Sequence, residues 1–326
     1  MLYPLTFKPV LMERVWGGRR LAELYQKDLP GDAPYGESWE ITDRPEAVSE
    51  IINGPLAGKD LRWLMENHRD ELLGGARDYE GRFPLLIKIL DSSEKLSLQV
   101  HPPAGKAREL AGEPKTEMWF VADATEDADI FVGLRPGVTR EDFRARIADG
   151  TVAECFHRHV IRPGDAMFVP SGRVHALGAG SVIFEIQQNS NTTYRVFDWN
   201  RIGLDGKPRE LHVEEAMQSI DFDDLEPGLI SAAFTSSGSD GFDRRTLVAD
   251  PLFTVEHWTT TGQASASFAE PACRIVAALS GTVALSDGNT EISLRPGGFG
   301  ILPASITAAQ LRTEDASALL IATPGS

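Results

Sequence analysis

Four side chains carry nitrogen or oxygen donors that together could hold a divalent metal ion: Gln99, His101, Glu117 and His175. Alternate residues of a β-strand point to the same face, so Gln99 and His101 would share one face and Val100 would lie on the other. Glu117 begins the next β-like run of the sequence. If His175 is a ligand, this donor set suits zinc or another divalent ion and leaves one coordination position open, as a catalytic site requires.

A second pair of histidines competes for the same role. His157 and His159 are also separated by one residue and would share one face of a strand. Too few residues separate them from the turn at Pro163 for the chain to cross a barrel and return as a separate strand. We therefore expect His157 and His159 to be surface or structural residues.

The elements that must position these side chains are short β-rich runs separated by turn-rich segments. The runs are residues 82–90, 95–101, 116–123, 182–188, 192–197 and 274–286. This pattern is typical of a jelly roll or barrel, and it lacks the alternation of strands and helices found in a doubly wound sheet. Helices are predicted at only a few places: one capped by Asp60, one capped by Thr139 and ended by Gly150, and one through residues 212–217.

One turn-and-strand segment occurs twice. Residues 162–170 (RPGDAMFVP) and 295–303 (RPGGFGILP) share Arg, Pro, Gly and a second Pro at the same spacing, which predicts two similar β modules. The first copy continues to His175 as PG-x5-P-x-G-x2-H and resembles the second sequence motif of the cupin superfamily. In that superfamily the final His points into the barrel as a metal ligand. The second copy has Ala308 at this position, so the C-terminal module resembles a cupin barrel without this ligand.

A longer series of motifs resembles the type I mannose-6-phosphate isomerases, and most closely their short bacterial form. In chain order the motifs are WGG (16–18), GESWE (36–40), LIKIL (86–90), LQVHP (98–102), KTE (115–117), PSGRVHA (170–176) and QQNSNTTYR (187–195). The resemblance covers most of residues 1–220 and continues more weakly into the C-terminal module.

This resemblance implies one zinc ion per chain and a sugar phosphate substrate. By motif, the zinc ligands of the family fall on the four residues already considered, Gln99, His101, Glu117 and His175. The catalytic arginine of the family falls on Arg195, and the lysine of its motif near the metal falls on Lys115. The implied activity is the interconversion of mannose 6-phosphate and fructose 6-phosphate.

The chemistry of this reaction explains the need for cations. A proton moves between C1 and C2 through a cis-enediol, and negative charge develops on O1 and O2 in turn; a divalent metal and a fixed guanidinium such as Arg195 would stabilise that charge. Lys115 and Lys88 are further candidates for inward-facing cations. The general base stays open among hydroxide on the metal, a carboxylate, a neutral lysine and a ring nitrogen. Candidates for binding the phosphate are Arg14, Arg19, Arg201, Lys207 and Arg209.

Composition excludes several classes of partner. The formal net charge is −16, from 32 basic and 48 acidic residues, which argues against nucleic acid or an anionic membrane as partner. The sequence contains neither GxGxxG nor GxxxxGK[ST], so a bound nucleotide is not expected. The two cysteines form no CxxC pair, and neither a signal-type segment nor a long apolar run is present. We expect a soluble, cytoplasmic protein whose oligomeric state is left open.

The sequence thus predicts a mainly β protein of two cupin-type jelly-roll barrels, with helical insertions in the N-terminal half. Residues 1–230 would form the metal-binding catalytic domain, and residues 231–326 a barrel without metal ligands. Three alternatives stay open: an isomerase of another sugar phosphate, a cupin oxygenase and a non-catalytic sugar-phosphate sensor. An oxygenase would more naturally show two histidines, one carboxylate and iron, with no need for Arg195. A sensor would be favoured by loss of a ligand or of Arg195, and neither is lost.

Overall fold

Four antiparallel sheets form the body of the protein in a computed structural model that describes residues 2–236 and 238–326. The strands of the N-terminal part are β1 (Val10–Gly18), β2 (Tyr35–Ile41), β3 (Asp43–Arg44), β4 (Ala47–Val48), β5 (Leu85–Ser92), β6 (Leu98–Val100), β7 (Glu117–Ala124), β8 (Asp129–Leu134), β9 (Phe156–Val160), β10 (Ala166–Val169), β11 (His175–Leu177), β12 (Ser181–Gln188) and β13 (Tyr194–Phe197). Those of the C-terminal part are β14 (Thr235–Ser236), β15 (Asp243–Ala249), β16 (Phe253–Thr260), β17 (Ala264–Phe268), β18 (Arg274–Ser280), β19 (Val283–Ser286), β20 (Glu291–Leu294), β21 (Phe299–Leu302), β22 (Ala309–Thr313) and β23 (Ser317–Pro324).

Each half of the chain contributes one pair of facing sheets. In the first half, a six-stranded sheet of order β1-β2-β5-β12-β7-β10 faces a five-stranded sheet of order β13-β6-β11-β8-β9. In the second half, β14-β15-β16-β23-β18-β21 faces β17-β22-β19-β20, and a small sheet pairs β3 with β4. Apolar side chains from both sheets of a pair share one core, as in a jelly roll. The predicted pair of cupin-type barrels is confirmed.

The inner face of the first barrel changes from apolar to polar along its strands. On β5, Leu90 belongs to the barrel core, whereas Lys88, two residues earlier, lines an open cavity. On β12, Ile183 belongs to the same core and Glu185 lines the same cavity. Because alternate residues share a face, each strand delivers both kinds of side chain to one interior. The sequence-based expectation that Lys88 points inward is confirmed.

The outer face of the six-stranded sheet is buried as well. Phe184 on β12 stacks on Phe299 of the second barrel, with ring centroids 5.4 Å apart, and Leu5 forms a backbone bridge with Ile301. One apolar cluster therefore contains side chains from both halves of the chain. The domain boundary at residue 230 stays a prediction; the strands before and after it belong to different sheets.

Five α-helices interrupt the described strands, and all lie before residue 220, as predicted for the N-terminal half. They are α1 (Arg20–Tyr25), α2 (Leu61–Leu73), α3 (Ala104–Ala107), α4 (Arg140–Asp149) and α5 (Val213–Ser219). Two short 3-10 helices span Gly54–Leu56 and Val152–Cys155.

Local capping chemistry sets the ends of the predicted helices. The Asp60 side chain accepts a hydrogen bond from the first turn of α2, and the Thr139 side chain accepts one from the first turn of α4. Gly150 ends α4 in the left-handed region, at φ 81°. The helix predicted through residues 212–217 begins one residue later, because His212 precedes it in a non-helical conformation. No helix in the described part of the chain is long and apolar enough to cross a membrane.

His257 is a buried imidazole where the two barrels meet. Its ring lies against Phe120 of the first barrel and against Phe234, with centroid separations of 4.9 Å and 5.2 Å. Its Nδ1 accepts a hydrogen bond from Nε of Arg245 at 3.1 Å. Burial, and then the charge of Arg245, lowers the pKa of His257 from 6.5 to about 4.

We expect this imidazole to make the fold acid-sensitive. The unfolded chain binds the proton near pH 6.5 and the folded chain only near pH 4, so the free energy of unfolding falls as pH falls through this window. Between pH 7 and pH 5 the loss from His257 is on the order of 2 kcal/mol. Urea unfolding of the wild type and of His257→Phe at both pH values measures this loss. Between pH 7 and pH 5, the free energy of unfolding should fall by about 2 kcal/mol less in the variant than in the wild type.

The control is Asn67→Ala, which removes a side chain of α2 that cannot titrate. This variant should keep the pH dependence of the wild type. An equal loss of stability in the wild type and in His257→Phe would contradict the prediction.

Candidate metal centre and active-site cavity

Three of the predicted ligands meet at the polar end of the first barrel. His101, Glu117 and His175 are buried, and their ligand atoms all lie within 4.8 Å of one another. Nε2 of His101 is 3.4 Å from Oε2 of Glu117, and Nε2 of His175 is 3.5 Å from Oε1 of the same carboxylate. Within residues 2–236 and 238–326, no other group of three His, Cys, Asp or Glu side chains has this geometry.

Strand ends from both sheets bring these groups together. His101 directly follows β6, His175 begins β11, and Glu117 begins β7 of the facing sheet. His175 is paired in register with Gln99, so that β6 and β11 lie side by side beneath the site. Glu117 and His175 are more than fifty residues apart in sequence. Only the closure of the barrel brings them to one point.

Hydrogen bonds select the tautomer of both imidazoles. Nδ1 of His101 donates to the carbonyl of Thr192 at 2.7 Å, and Nδ1 of His175 donates to the carbonyl of Arg173 at 2.9 Å. Because a carbonyl oxygen only accepts, the proton of the neutral ring lies on Nδ1 and the lone pair of Nε2 faces Glu117. Burial lowers the pKa of both rings, that of His101 to about 3. Neutral rings held in this way fit a divalent metal ion.

Lys115 lies directly against this donor set. Its Nζ donates to Oε2 of Glu117 and is 3.3 Å from Nε2 of His101. Burial alone would lower the pKa of Lys115, but the Glu117 and Glu185 carboxylates together raise it. Burial would raise the pKa of Glu117, but the charge of Lys115 holds it well below its usual range. The lysine is therefore charged and the carboxylate ionised.

Gln99 lies beside the three ligands. Its Nε2 is 3.3 Å from Nε2 of His175, while its Oε1 accepts a hydrogen bond from Oγ of Ser97 at 3.1 Å. In register across the sheet, Arg195, Gln99 and His175 are neighbours on three adjacent strands. The Gln99 side chain thus lies between Arg195 and the imidazole of His175. Rotation of its amide would turn the oxygen toward the point where His101, Glu117 and His175 meet.

A cavity of about 570 Å³ opens at this end of the barrel. Gln99 and Lys115 belong to its lining. His101, Glu117 and His175 are not part of the lining and lie behind these two side chains, which contact them. Five cationic side chains line it: Arg14, Lys88, Lys115, Arg195 and Arg209. A cavity of this size and charge suits a small anionic ligand, even though the chain as a whole is strongly acidic.

Charges alternate along one wall of the cavity. Glu37 lies 2.8 Å from Nε of Arg14 and 3.8 Å from Nζ of Lys88. Glu185 lies 3.3 Å from Nζ of Lys88 and 3.9 Å from Nζ of Lys115. Burial would raise the pKa of Glu37, but Lys88 and then Arg14 lower it to about 2. Each carboxylate therefore has a cation on either side, and neither is buried without compensation.

Arg195 differs from the other cations of the cavity. Its Nε donates to Oγ of Ser97 at 3.2 Å and its Nη1 to the carbonyl of Glu210 at 2.8 Å. In the part of the chain that the structure describes, it makes no ion pair with a carboxylate. Burial, followed by the charge of Arg209, lowers its pKa to about 10, so the guanidinium stays protonated at neutral pH. A structural ion pair does not explain this residue.

The candidates for phosphate binding divide into two groups. Arg14 and Arg209 line the cavity, whereas Arg19, Arg201 and Lys207 are not part of its lining. Arg19 donates to two backbone carbonyls, and Arg201 is held by a neighbouring carboxylate. Sequence position alone could not separate these two groups.

The rival histidines lie elsewhere. His157 and His159 are on β9, the edge strand of the five-stranded sheet, and Nε2 of His159 bonds to the carbonyl of Pro227 at 2.7 Å. Neither lines the cavity. The sequence analysis assigns no role to Glu37, in the GESWE motif, or to Glu185, in the run 182–188. The alternation of Glu185 and Gln187 on β12 is the sequence feature that could have indicated an inward-facing carboxylate.

Comparison with known proteins agrees with this geometry. A family profile described as phosphomannose isomerase type I, catalytic domain, matches residues 5–125. The mannose-6-phosphate isomerase of Streptococcus mutans is 36% identical over 307 residues, which cover 94% of each chain.

Two solved structures have the same fold. The crystal structure of the mannose 6-phosphate isomerase from Bacillus subtilis superposes with a TM-score of 0.88 at 33% identity, covering 98% of this chain and 99% of that one. A mannose 6-phosphate isomerase bound with zinc and yttrium has a TM-score of 0.74 at 18% identity, over 99% and 100% of the two chains, and shows the shared fold. On the strength of the sequence identity across nearly the whole chain, this protein belongs to the type I phosphomannose isomerase family.

Proposed function

We propose that the protein interconverts mannose 6-phosphate and fructose 6-phosphate with the help of one zinc ion. The observation that carries this proposal is the buried group of His101, Glu117 and His175, which lies directly behind the lining of a cavity that contains five cationic side chains. Relatives that are 36% and 41% identical over the aligned residues are named as a mannose-6-phosphate isomerase and a probable one, which supports mannose 6-phosphate as a substrate.

The metal ligands we propose are His101, Glu117 and His175, with Gln99 as the fourth. Two neutral imidazoles, a carboxylate and an amide oxygen form a donor set that suits zinc and allows one further position for substrate or water. A bound zinc ion would act as a Lewis acid on the substrate oxygens. The zinc present in a protein of the same fold supports this choice of metal.

Arg195 and Lys115 are the proposed catalytic cations. Proton transfer between C1 and C2 produces a cis-enediol, with negative charge on O1 and O2. Arg195, which is protonated and has no carboxylate partner in the described chain, can stabilise that charge. Among the classes of general base that the sequence leaves open, the carboxylate is represented in the cavity lining by Glu13, Glu37, Glu185 and Asp205. Of these, Glu185 lies between Lys88 and Lys115, and Lys115 contacts the proposed ligand Glu117.

The proposed location is the cytoplasm, and the proposed partner is the small sugar phosphate alone. Cys155 and Cys273 are buried free thiols, and burial raises their pKa to about 11 and about 12. Unpaired, unreactive cysteines agree with a reducing compartment.

Metal removal should abolish the reaction reversibly. We expect chelation followed by desalting to remove isomerase turnover, and added zinc to restore it, because the proposed charge stabilisation needs the ion. A coupled assay of fructose 6-phosphate formation measures the rate, and elemental analysis measures zinc per chain. A zinc-free protein that turns over at the original rate would contradict the metal assignment.

Loss of one ligand should empty the site. His175→Ala should lose most of its zinc and its turnover, since loss of a ligand should cost more metal affinity than loss of a group that orients a ligand, which costs about 10-fold to 100-fold. The matched control is His159→Ala, which removes a histidine of the rival pair outside the cavity and should keep zinc content and turnover. Equal zinc loss in both variants would argue that the pair on β9 also binds metal.

The guanidinium of Arg195 should act on turnover. Arg195→Ala should fold and keep its zinc but lose kcat by about 100-fold or more, as for a lost group that stabilises transition-state charge. Arg195→Lys, which keeps the charge without the planar fork, should recover part of that loss. Near wild-type kcat in Arg195→Ala would remove Arg195 from the mechanism.

Binding of mannose 6-phosphate without turnover in the zinc-loaded wild type would instead favour the non-catalytic sensor.

A further inference from the structure

Residues 198–212 form one wall of the cavity as an irregular hairpin between β13 and α5. Ile202 forms a backbone bridge with Pro208, and Gly203 N–H donates to the carbonyl of Lys207 at 2.8 Å. The residues of this segment that line the cavity are Gly203, Leu204, Asp205, Arg209 and His212. Arg209 is the only arginine or lysine among them and Asp205 the only carboxylate, so Arg209 is the group of the hairpin that could bind an anionic ligand.

A buried carboxylate at the base of the hairpin holds this arginine. Asp198 is only 5% exposed and accepts hydrogen bonds from Nε and Nη2 of Arg209, the first at 2.8 Å. It also accepts one from Nη2 of Arg201 at 2.8 Å, and Nη1 of Arg201 donates to the carbonyl of Lys95 at the same distance. Asp198 therefore ties both arms of the hairpin to the rim of the barrel.

The contact with Asp198 fixes how Arg209 faces the cavity. A carboxylate that binds Nε and one Nη sets the plane of the guanidinium as well as its position. Nη1 of Arg209 makes no hydrogen bond within the described residues, so the edge that carries Nη1 is available to a ligand.

Asp198 also permits three like charges to lie close together. Arg201 and Arg209 bind this one carboxylate, and Arg195 lies near enough for all three groups to affect its pKa. After burial, the charges of Arg209 and Arg201 are the influences that lower the pKa of Arg195, and Asp198 counteracts them. The excess of positive charge leaves this end of the cavity suited to an anion.

We propose that Asp198 is a positioning residue that holds the Arg209 guanidinium for the phosphate group of the substrate. This assignment rests on the proposed function. In a hexose 6-phosphate the phosphate is on C6, at the far end from the reacting C1 and C2, and Arg209 is not among the groups that contact the metal ligands. A phosphate dianion is also the ligand group that a fixed guanidinium edge matches best.

The proposal predicts an effect on KM. Asp198→Asn keeps the shape but loses the charge, so KM for mannose 6-phosphate should rise about tenfold while kcat changes by less than about threefold and zinc content stays the same. The control is Asp78→Asn, which removes a carboxylate that accepts from Arg69 Nε at 2.7 Å away from the cavity. This control should keep the wild-type KM.

A double-mutant cycle separates positioning from general structural support. If Asp198 acts through Arg209, then Asp198→Asn should raise KM in the wild type but have almost no further effect in Arg209→Ala. Equal increases in both backgrounds would overturn the proposal. If Asp198→Asn does not fold, Arg209→Lys replaces it, because lysine keeps the charge and loses the fixed edge; an unchanged KM in Arg209→Lys would also overturn the proposal.

A second readout does not depend on catalysis. Inorganic phosphate should raise the melting temperature of the zinc-loaded wild type and of Asp78→Asn, and should raise it less in Asp198→Asn and Arg209→Ala. Absence of turnover in the wild type would refute the proposed isomerase. Equal phosphate stabilisation in all four proteins would refute the role of Asp198, whether or not the wild type is active.

Discussion

The burial of an ionised carboxylate, Glu117, is the constraint on which the rest of the site depends. A charge that is only about 1% exposed is costly unless opposite charge and hydrogen bonds compensate it. Lys115 supplies this compensation by donating to the carboxylate, whereas the two imidazoles turn only lone pairs toward it, because their protons are held on the far ring nitrogens. The carboxylate and the two lone pairs together form a donor set for a divalent cation. Compensation then extends outward through Glu185 and Lys88, so that charge is balanced from the floor of the cavity to its rim.

The two barrels show how one architecture serves two purposes. Both contain the repeated Arg-Pro-Gly turn, and in both the glycine adopts a positive φ, 93° at Gly164 and 75° at Gly297, before the next strand begins. In the first barrel the strands that follow lead to His175 and a charged interior. In the second, apolar side chains such as Trp258 and Leu311 fill the interior, and Ala308 stands at the position of the histidine. The turn preserves the fold, while a few inward positions decide whether the barrel can bind a metal.

Rigidity is distributed unevenly around the cavity. The six-stranded sheet that presents Glu117, Glu185 and Lys88 is packed on both faces, with the second barrel against its outer side. Side chains on such a sheet are held closely in place, as a metal centre requires. The wall opposite is different, because residues 198–212 form a surface hairpin held at its base by Asp198. In the function proposed above, this sheet supports the reacting end of the substrate and the hairpin supports its phosphate group.

The sequence by itself determined the local features of this protein. Side-chain alternation predicts that Lys88 points inward, capping residues predict where α2 and α4 begin, and the repeated turn predicts two β modules. Each of these features depends on residues that are only a few positions apart in sequence. The motif spacing also selected His101, Glu117 and His175 before any distance was known. Only the tertiary structure decided which of the five candidate arginines and lysines reach the cavity, that Glu37 and Glu185 belong to its wall, and that Asp198 holds Arg209. Those facts depend on contacts between segments that are distant or irregular in the chain, where neither periodicity nor capping chemistry carries a signal.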